Sequence, residues 1–218
     1  MNEDISKNIM KSGTSIVGIV CKDGVVIGAD RRATAGGQIV MSKNSLKAVK
    51  INEYIAVAGT GVSSDIDLSQ RVFAAELKLK ELQTKRRPSV QEAASLFGMM
   101  TYRNIRSPSM IASVVGMLVG GVNDDGTVEL YTVEPAGGVY RVEDYDANFG
   151  SGMPYILGFM ERAWKSTLTV EQGINLAVEA IKSSTERDPA SGNGIDVIAI
   201  TKDGVKHVIS QQISPTFK

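Results

Sequence analysis

Short runs of β-branched and apolar residues lie toward both ends of the chain, and longer stretches with helical spacing lie between them. Residues 14–20 and 24–29 flank Lys22-Asp23-Gly24, and an Asp-Gly step between two β-branched runs is a strong hairpin signal. The same step recurs at Asp125-Gly126 and Asp203-Gly204. Further strands are expected at 39–41, 55–58, 113–120, 128–133, 139–142, 195–200 and 205–209. Hairpins, rather than strand-helix-strand crossovers, predict antiparallel sheets.

Two helices are expected in the middle of the chain, over 65–84 and from Ser89 onward, joined by the basic turn Lys85-Arg86-Arg87-Pro88. Ser89-Val90-Gln91-Glu92 fits a capping box, in which the hydroxyl and the carboxylate satisfy each other's backbone N–H. A second pair is expected at 153–165 and 170–187, the latter opened by Thr169 with Gln172 three residues on. Ile174, Ala177, Val178 and Ile181 follow i, i+3, i+4, i+7 spacing and mark its buried face. The order strands, two helices, strands, two helices, strands predicts an α+β fold, a four-layer α/β/β/α sandwich.

Composition narrows the chemistry. The 218 residues, 43% hydrophobic and 22% charged, are ordinary for one globular domain. With 24 basic and 24 acidic side chains the formal net charge is +0, so bulk charge points to neither nucleic acid nor a membrane surface as a partner. The longest apolar stretch, 113–122, is far short of the ~20 residues a membrane helix needs, and the polar N-terminus has no signal-peptide character. A cytoplasmic protein is expected. One cysteine, Cys21, excludes an intrachain disulfide and Cys-rich zinc patterns. One histidine, His207, lies close to the C-terminus, so a hydrolase built on this chain is expected to work without histidine. No metal or cofactor is expected, since the G-x-G-x-x-S pattern from Gly59 is weak evidence for a nucleotide site.

Several short motifs carry candidate chemistry. Gly13-Thr14 places a hydroxyl where a polar leader meets the first strand. A threonine hydroxyl needs a base, and its own α-amino group, with a reference pKa near ~8, can serve once the chain is cut before Thr14. A glycine before the cut permits the tight turn in which the hydroxyl reaches the preceding carbonyl. The bland alternative is an ordinary strand start. Asp30 stands among basic neighbours in Gly28-Ala29-Asp30-Arg31-Arg32-Ala33-Thr34, as a functional carboxylate or a solvated ion cluster. Lys47 alternates with apolar residues, which points it either inward beside Val49 and Ile51 or outward as a snorkelling surface lysine. Ala58-Gly59 follows a buried strand and can offer a backbone N–H to an oxyanion. Ser151, in Phe149-Gly150-Ser151-Gly152, is either chemical or the N-cap of the next helix. Arg187-Asp188-Pro189-Ala190-Ser191-Gly192 closes a helix and enters a strand.

Taken in order, these motifs closely resemble the β-subunits of the archaeal-type 20S proteasome, over residues 13–206. That resemblance implies the Ntn-hydrolase fold and a threonine endopeptidase. Thr14 matches the nucleophile released by autolysis of the Gly13–Thr14 bond, which makes 1–13 a propeptide and 14–218 the mature domain. Asp30 and Lys47 match the pair supporting deprotonation of the hydroxyl, and Gly59 matches the oxyanion glycine. Ser151, Asp188 and Ser191 match the hydrogen-bonded group near the threonine amine. The implied partners are proteasome α-subunits, other β-subunits, a regulatory ATPase ring and unfolded protein substrates, in a cylinder of two β heptamers between two α heptamers.

The chain also departs from the family pattern. Ser15 and Ile16 replace two threonines, the chain is longer around Gly36 and Gly37, and so is the loop 60–64 beside the specificity pocket. Ala33, Ser45, Val49 and Val57 match pocket positions and favour cleavage after hydrophobic residues, whereas Asp67 matches a position where an acid favours basic ones. The alternative is a structural β-type subunit that fills a ring without processing itself.

Overall fold

The computed structural model describes residues 13–35, 39–109 and 113–213. Gly13 of the expected leader falls within them, while residues 1–12 and the Gly36-Gly37 position lie outside.

Strands β1 (Ile16–Cys21), β2 (Gly24–Asp30), β11 (Gly194–Thr201), β12 (Gly204–Gln212) and the short β10 (Tyr145–Asp146) form one antiparallel sheet in the order β10-β1-β2-β11-β12. A second antiparallel sheet has the order β5-β6-β7-β8-β9, from β5 (Ala48–Lys50), β6 (Ile55–Gly61), β7 (Val115–Val122), β8 (Val128–Val133) and β9 (Val139–Arg141). A separate hairpin pairs β3 (Ala33–Ala35) with β4 (Ile39–Ser42). The helices are α1 (Ser63–Thr84), α2 (Val90–Arg106), α3 (Met153–Ala163) and α4 (Val170–Thr185).

Alternation along the first sheet divides the core into two layers. Ile16, Val25, Ile27, Ala29, Ile198 and Ile200 point to a core shared with the second sheet, α1 and α2. Val17, Ile19, Val26, Val197 and Ala199 point the other way, onto Ile156 and Met160 of α3 and Ala177 and Ile181 of α4. Each buried Val, Ile or Met among them contributes roughly 1.5–3 kcal/mol relative to exposure. At Gly28 a Cβ would come 3.3 Å from that of Ala177, so a bare backbone lets α4 close onto β2. The layers run helix pair, sheet, sheet, helix pair, as the element order predicts.

All three Asp-Gly turns join paired strands, β1–β2, β7–β8 and β11–β12. Both expected capping boxes form, Ser89 with Glu92 and Thr169 with Gln172. Differences from the sequence reading sit at short elements. The expected loop 60–64 is nearly absent, because β6 runs through Gly61 and α1 begins at Ser63. Strands β3, β5 and β10 are too short for periodicity to mark, and their sheet partners define them.

Candidate active site

Thr14 lies at the entrance to β1 and is 1% exposed, and its Oγ1 makes no hydrogen bond. A buried hydroxyl without a partner is costly, so its persistence needs an explanation. Beside it is a saturated carboxylate. Asp30, at the end of β2 and fully buried, accepts from Ser15 N–H at 2.9 Å and Lys47 Nζ at 2.6 Å through Oδ1. Its Oδ2 accepts from the Arg32 and Gly192 N–H groups, both at 2.9 Å. Gly192 reaches this position with φ of 142°, a conformation L side chains rarely adopt.

Lys47, just before β5, is 2% exposed and therefore turns inward. Its Nζ spans Asp30 and the Gly13 carbonyl oxygen, the latter at 3.2 Å. Burial pushes its ammonium below the ordinary lysine range, and the charge and hydrogen bond of Asp30 oppose that shift without reversing it. A cation thus lies on the carbonyl of the Gly13–Thr14 peptide bond, next to an unpartnered hydroxyl.

On the other side of Thr14, its backbone N–H donates to Ser151 Oγ at 3.0 Å. Ser151 donates in turn to Asp188 Oδ2 at 2.5 Å, and Ser191 donates to the same oxygen at 2.6 Å. Ser151 is therefore not a helix cap; Gly152 occupies that position before α3, with no side-chain cap. The Asp188 loop is held by Arg32, which donates to Asn193 Oδ1 and to the Pro189 carbonyl, both at 2.7 Å.

Gly59 lies beside Lys47, but its N–H donates to the Lys47 carbonyl at 3.0 Å and is engaged within the sheet rather than turned to an oxyanion. The expected pocket residues divide. Ala33 is buried, Ser45 and Val49 are half-buried, and Val57 is wholly inside the core between the sheet and the helices. Asp67 is on the outward face of α1, paired with Arg71 at 2.6 Å. Ile66 and Gln70 turn toward the sheet instead: Ile66 packs over Gly59, and Gln70 Nε2 donates to the Lys47 carbonyl at 3.1 Å. One residue, about 100° around the helix axis, separates Asp67 from Ile66, so assigning the inward residue from sequence needs the helix's rotation.

Thr34, Arg32 and Gln70 escaped the sequence reading as site residues. Thr34 Oγ1 accepts the Gly13 N–H at 3.1 Å. Arg32 carried a signal, its position two residues from Asp30; Gln70 and Thr34 carried none. Among the described residues, no cluster of His, Cys, Asp or Glu could hold a metal ion, and no helix is long and apolar enough to cross a membrane.

The model of the family described as "Proteasome subunit" matches residues 10–200. Proteasome subunit beta 2 of Pyrococcus abyssi is 40% identical over 201 residues, covering 92% of this chain and 93% of that protein. Proteasome subunit beta 1 of Thermococcus kodakarensis is 37% identical, with 92% and 95% covered. A proteasome subunit beta of Methanococcus maripaludis is 34% identical over 205 residues, with 94% and 90% covered. The four-layer sandwich is thus the Ntn-hydrolase fold, and the chain belongs to the proteasome β-subunit family.

Proposed function

We propose that this chain is a self-processing, catalytic β-subunit of a 20S proteasome, a threonine endopeptidase whose nucleophile is Thr14. One observation carries the reading: the buried Thr14 hydroxyl has no hydrogen-bond partner, and Lys47 Nζ holds the carbonyl oxygen of the Gly13–Thr14 peptide bond beside it.

In self-cleavage, Thr14 Oγ1 attacks the Gly13 carbonyl carbon, and its proton passes by way of water to Thr14 N. Lys47 stabilises charge building on the carbonyl oxygen, as a donor aimed at a developing oxyanion does. The C–N bond breaks as Thr14 N takes that proton, leaving an ester between Gly13 and the Thr14 oxygen. Water hydrolyses the ester, which releases the leader as a carboxylate and frees the Thr14 amine. That amine then serves as the base for attack on peptide substrates, giving an acyl-ester on Thr14 that water cleaves. Ser151, Asp188 and Ser191 orient and charge-match the amine.

The setting is a cylinder of two β heptamers between α heptamers, fed with unfolded protein by an ATPase ring, in the cytoplasm. Enclosure makes a peptidase of relaxed specificity tolerable. The competing reading, a structural β-type subunit left unprocessed, draws on one feature: the Gly59 N–H is already bonded to Lys47.

Intact mass of the chain assembled with α-subunits separates the two. The expected mature chain begins at Thr14, and Thr14→Ala keeps its leader, assembles and hydrolyses nothing. A wild-type chain that retains residues 1–13 after assembly overturns the catalytic reading.

A further inference from the structure

Ser184, in the last turn of α4, is fully buried. Serine and threonine hydroxyls near a helix end commonly bond back to a carbonyl of their own helix. The neighbouring Thr185 does so, donating to the Lys182 carbonyl at 3.0 Å. Ser184 Oγ instead lies 2.6 Å from Ser15 Oγ, a residue 169 positions away.

The direction of these bonds follows from counting protons. Each hydroxyl has one to donate. Ser191 donates to Asp188 Oδ2, and Ser15 donates to Ser191 Oγ at 2.7 Å. Ser15 has no second proton, so Ser184 is the donor in the Ser184–Ser15 contact. The bonds therefore run one way, from Ser184 through Ser15 and Ser191 to Asp188. On its far side the same Asp188 oxygen accepts from Ser151, which faces Thr14 N.

The packing reserves space for these hydroxyls. A Cβ on Gly152 would fall 1.9 Å from Ser15 Oγ and 2.2 Å from Ser184 Oγ, and Gly152 N–H itself donates to the Thr14 carbonyl at 3.1 Å. The Ser184 carbonyl also accepts the Asp188 N–H at 2.8 Å, so the end of α4 reaches Asp188 directly through its backbone and by way of Ser15 and Ser191 through its side chain.

We propose that Ser184 is a positioning residue for the Thr14 amine, acting through Ser15 and Ser191 on the Asp188 carboxylate. The inference rests on the threonine-peptidase reading above. Hydrogen bonds in a chain polarise one another, so a donor at the far end strengthens the bonds nearer the carboxylate. With Ser184 removed, Asp188 is less well solvated by its hydroxyls and holds a protonated amine more firmly. The other charged groups nearby are Lys47 and Asp30 on the strand side and Arg32, which grips the Pro189 carbonyl. Glu186 and Arg187 beyond α4, and Glu161 and Arg162 on α3, are exposed to solvent.

The test compares wild type, Ser184→Ala, Ser15→Ala and the double variant, each assembled with α-subunits. It reads kcat and KM for a short peptide across the pH range where an α-amine titrates. Ser184→Ala is expected to lower kcat roughly threefold at unchanged KM and to move the acid limb of the profile up by roughly 0.3–0.5 pH unit. Ser15→Ala is expected to move it at least as far, and adding Ser184→Ala to it to change nothing more, because Ser184 acts only through Ser15. Single-variant profiles that superimpose on an active wild type overturn this inference alone, as do additive shifts in the double variant. A wild type without Thr14-dependent hydrolysis overturns the peptidase reading and this inference with it.

Discussion

Gly13 and Ala190 touch so closely that a Cβ on residue 13 would fall 1.8 Å from the Ala190 Cβ and 2.8 Å from its Cα. Ala190 belongs to the loop that presents Asp188 and Ser191, so the residue before Thr14 is clamped between that loop and Lys47. A side chain here must push the carbonyl off Lys47 or the loop off Thr14. Gly13→Ala is therefore expected to slow leader removal about 100-fold, the usual scale for misplacing a reacting group by ~1 Å. Adding Ala190→Gly removes the nearest clashing atom and is expected to restore part of the rate. Intact mass against time after assembly measures both; processing of Gly13→Ala at the wild-type rate contradicts the clamp.

Lys47 gives a second prediction. Its proton is held less firmly than in an exposed lysine, because burial outweighs the attraction of Asp30. The cation beside Thr14 is therefore lost nearer to neutral pH than in an exposed lysine, and hydrolysis that depends on its charge falls as pH climbs through that lowered value. Lys47→Arg keeps the charge but cannot release the proton. It is expected to flatten that fall, at a kcat lowered roughly tenfold by the bulkier guanidinium in a buried site, as read from the pH profile of peptide hydrolysis.

A third concerns stability. Arg31 and Asp196 form a buried two-point ion pair, with contacts of 2.6 and 2.7 Å, joined by His207 at 3.0 Å and Ser210 at 2.6 Å. Asp196→Asn preserves shape but leaves the buried guanidinium without its counter-charge. The expected cost is about 3–5 kcal/mol, seen as a lower midpoint in thermal or urea unfolding.

The fourth follows from Glu92. Its carboxylate is pulled down to about 2, first by the Arg86 guanidinium and then by the Ser89 N–H of the capping box. Folding thus binds fewer protons than unfolding between that value and the ordinary glutamate range. The stabilisation is complete above about 4.5 and is lost as pH falls toward about 2. The pair is largely solvent-facing, so the effect is expected to be no more than ~1 kcal/mol. Glu92→Gln is expected to flatten this part of the acid-side stability curve, measured by unfolding at successive pH values.

Much of the fold is readable locally. Each Asp-Gly turn carries its own conformational preference, and each capping box needs only residues three apart, so the hairpins and the starts of α2 and α4 are visible in the chain. Alternation in β1, β2 and β11 separates the two core layers. Strand β10 is visible only through its partner, because two residues make no pattern. Asp67 is matched to a pocket position by the family resemblance alone, and its pairing with Arg71 depends on how α1 is rotated against the sheet.

The site divides the same way. The residues read in order already show that histidine chemistry is unavailable in the usual form, that a Gly-Thr step opens the first strand, and which carboxylates and lysine stand at strand and helix ends. Those are properties of composition and neighbouring residues. Packing of the folded chain is what turns Lys47 inward to reach Gly13, 34 positions away, and brings Ser151 to Thr14 across 137. It alone joined Ser184 to Ser15 and tied the Gly59 N–H to Lys47. The reason is physical: a side chain's partner is set by the stacking of two sheets and the angle at which each helix meets them, which local sequence preferences do not encode.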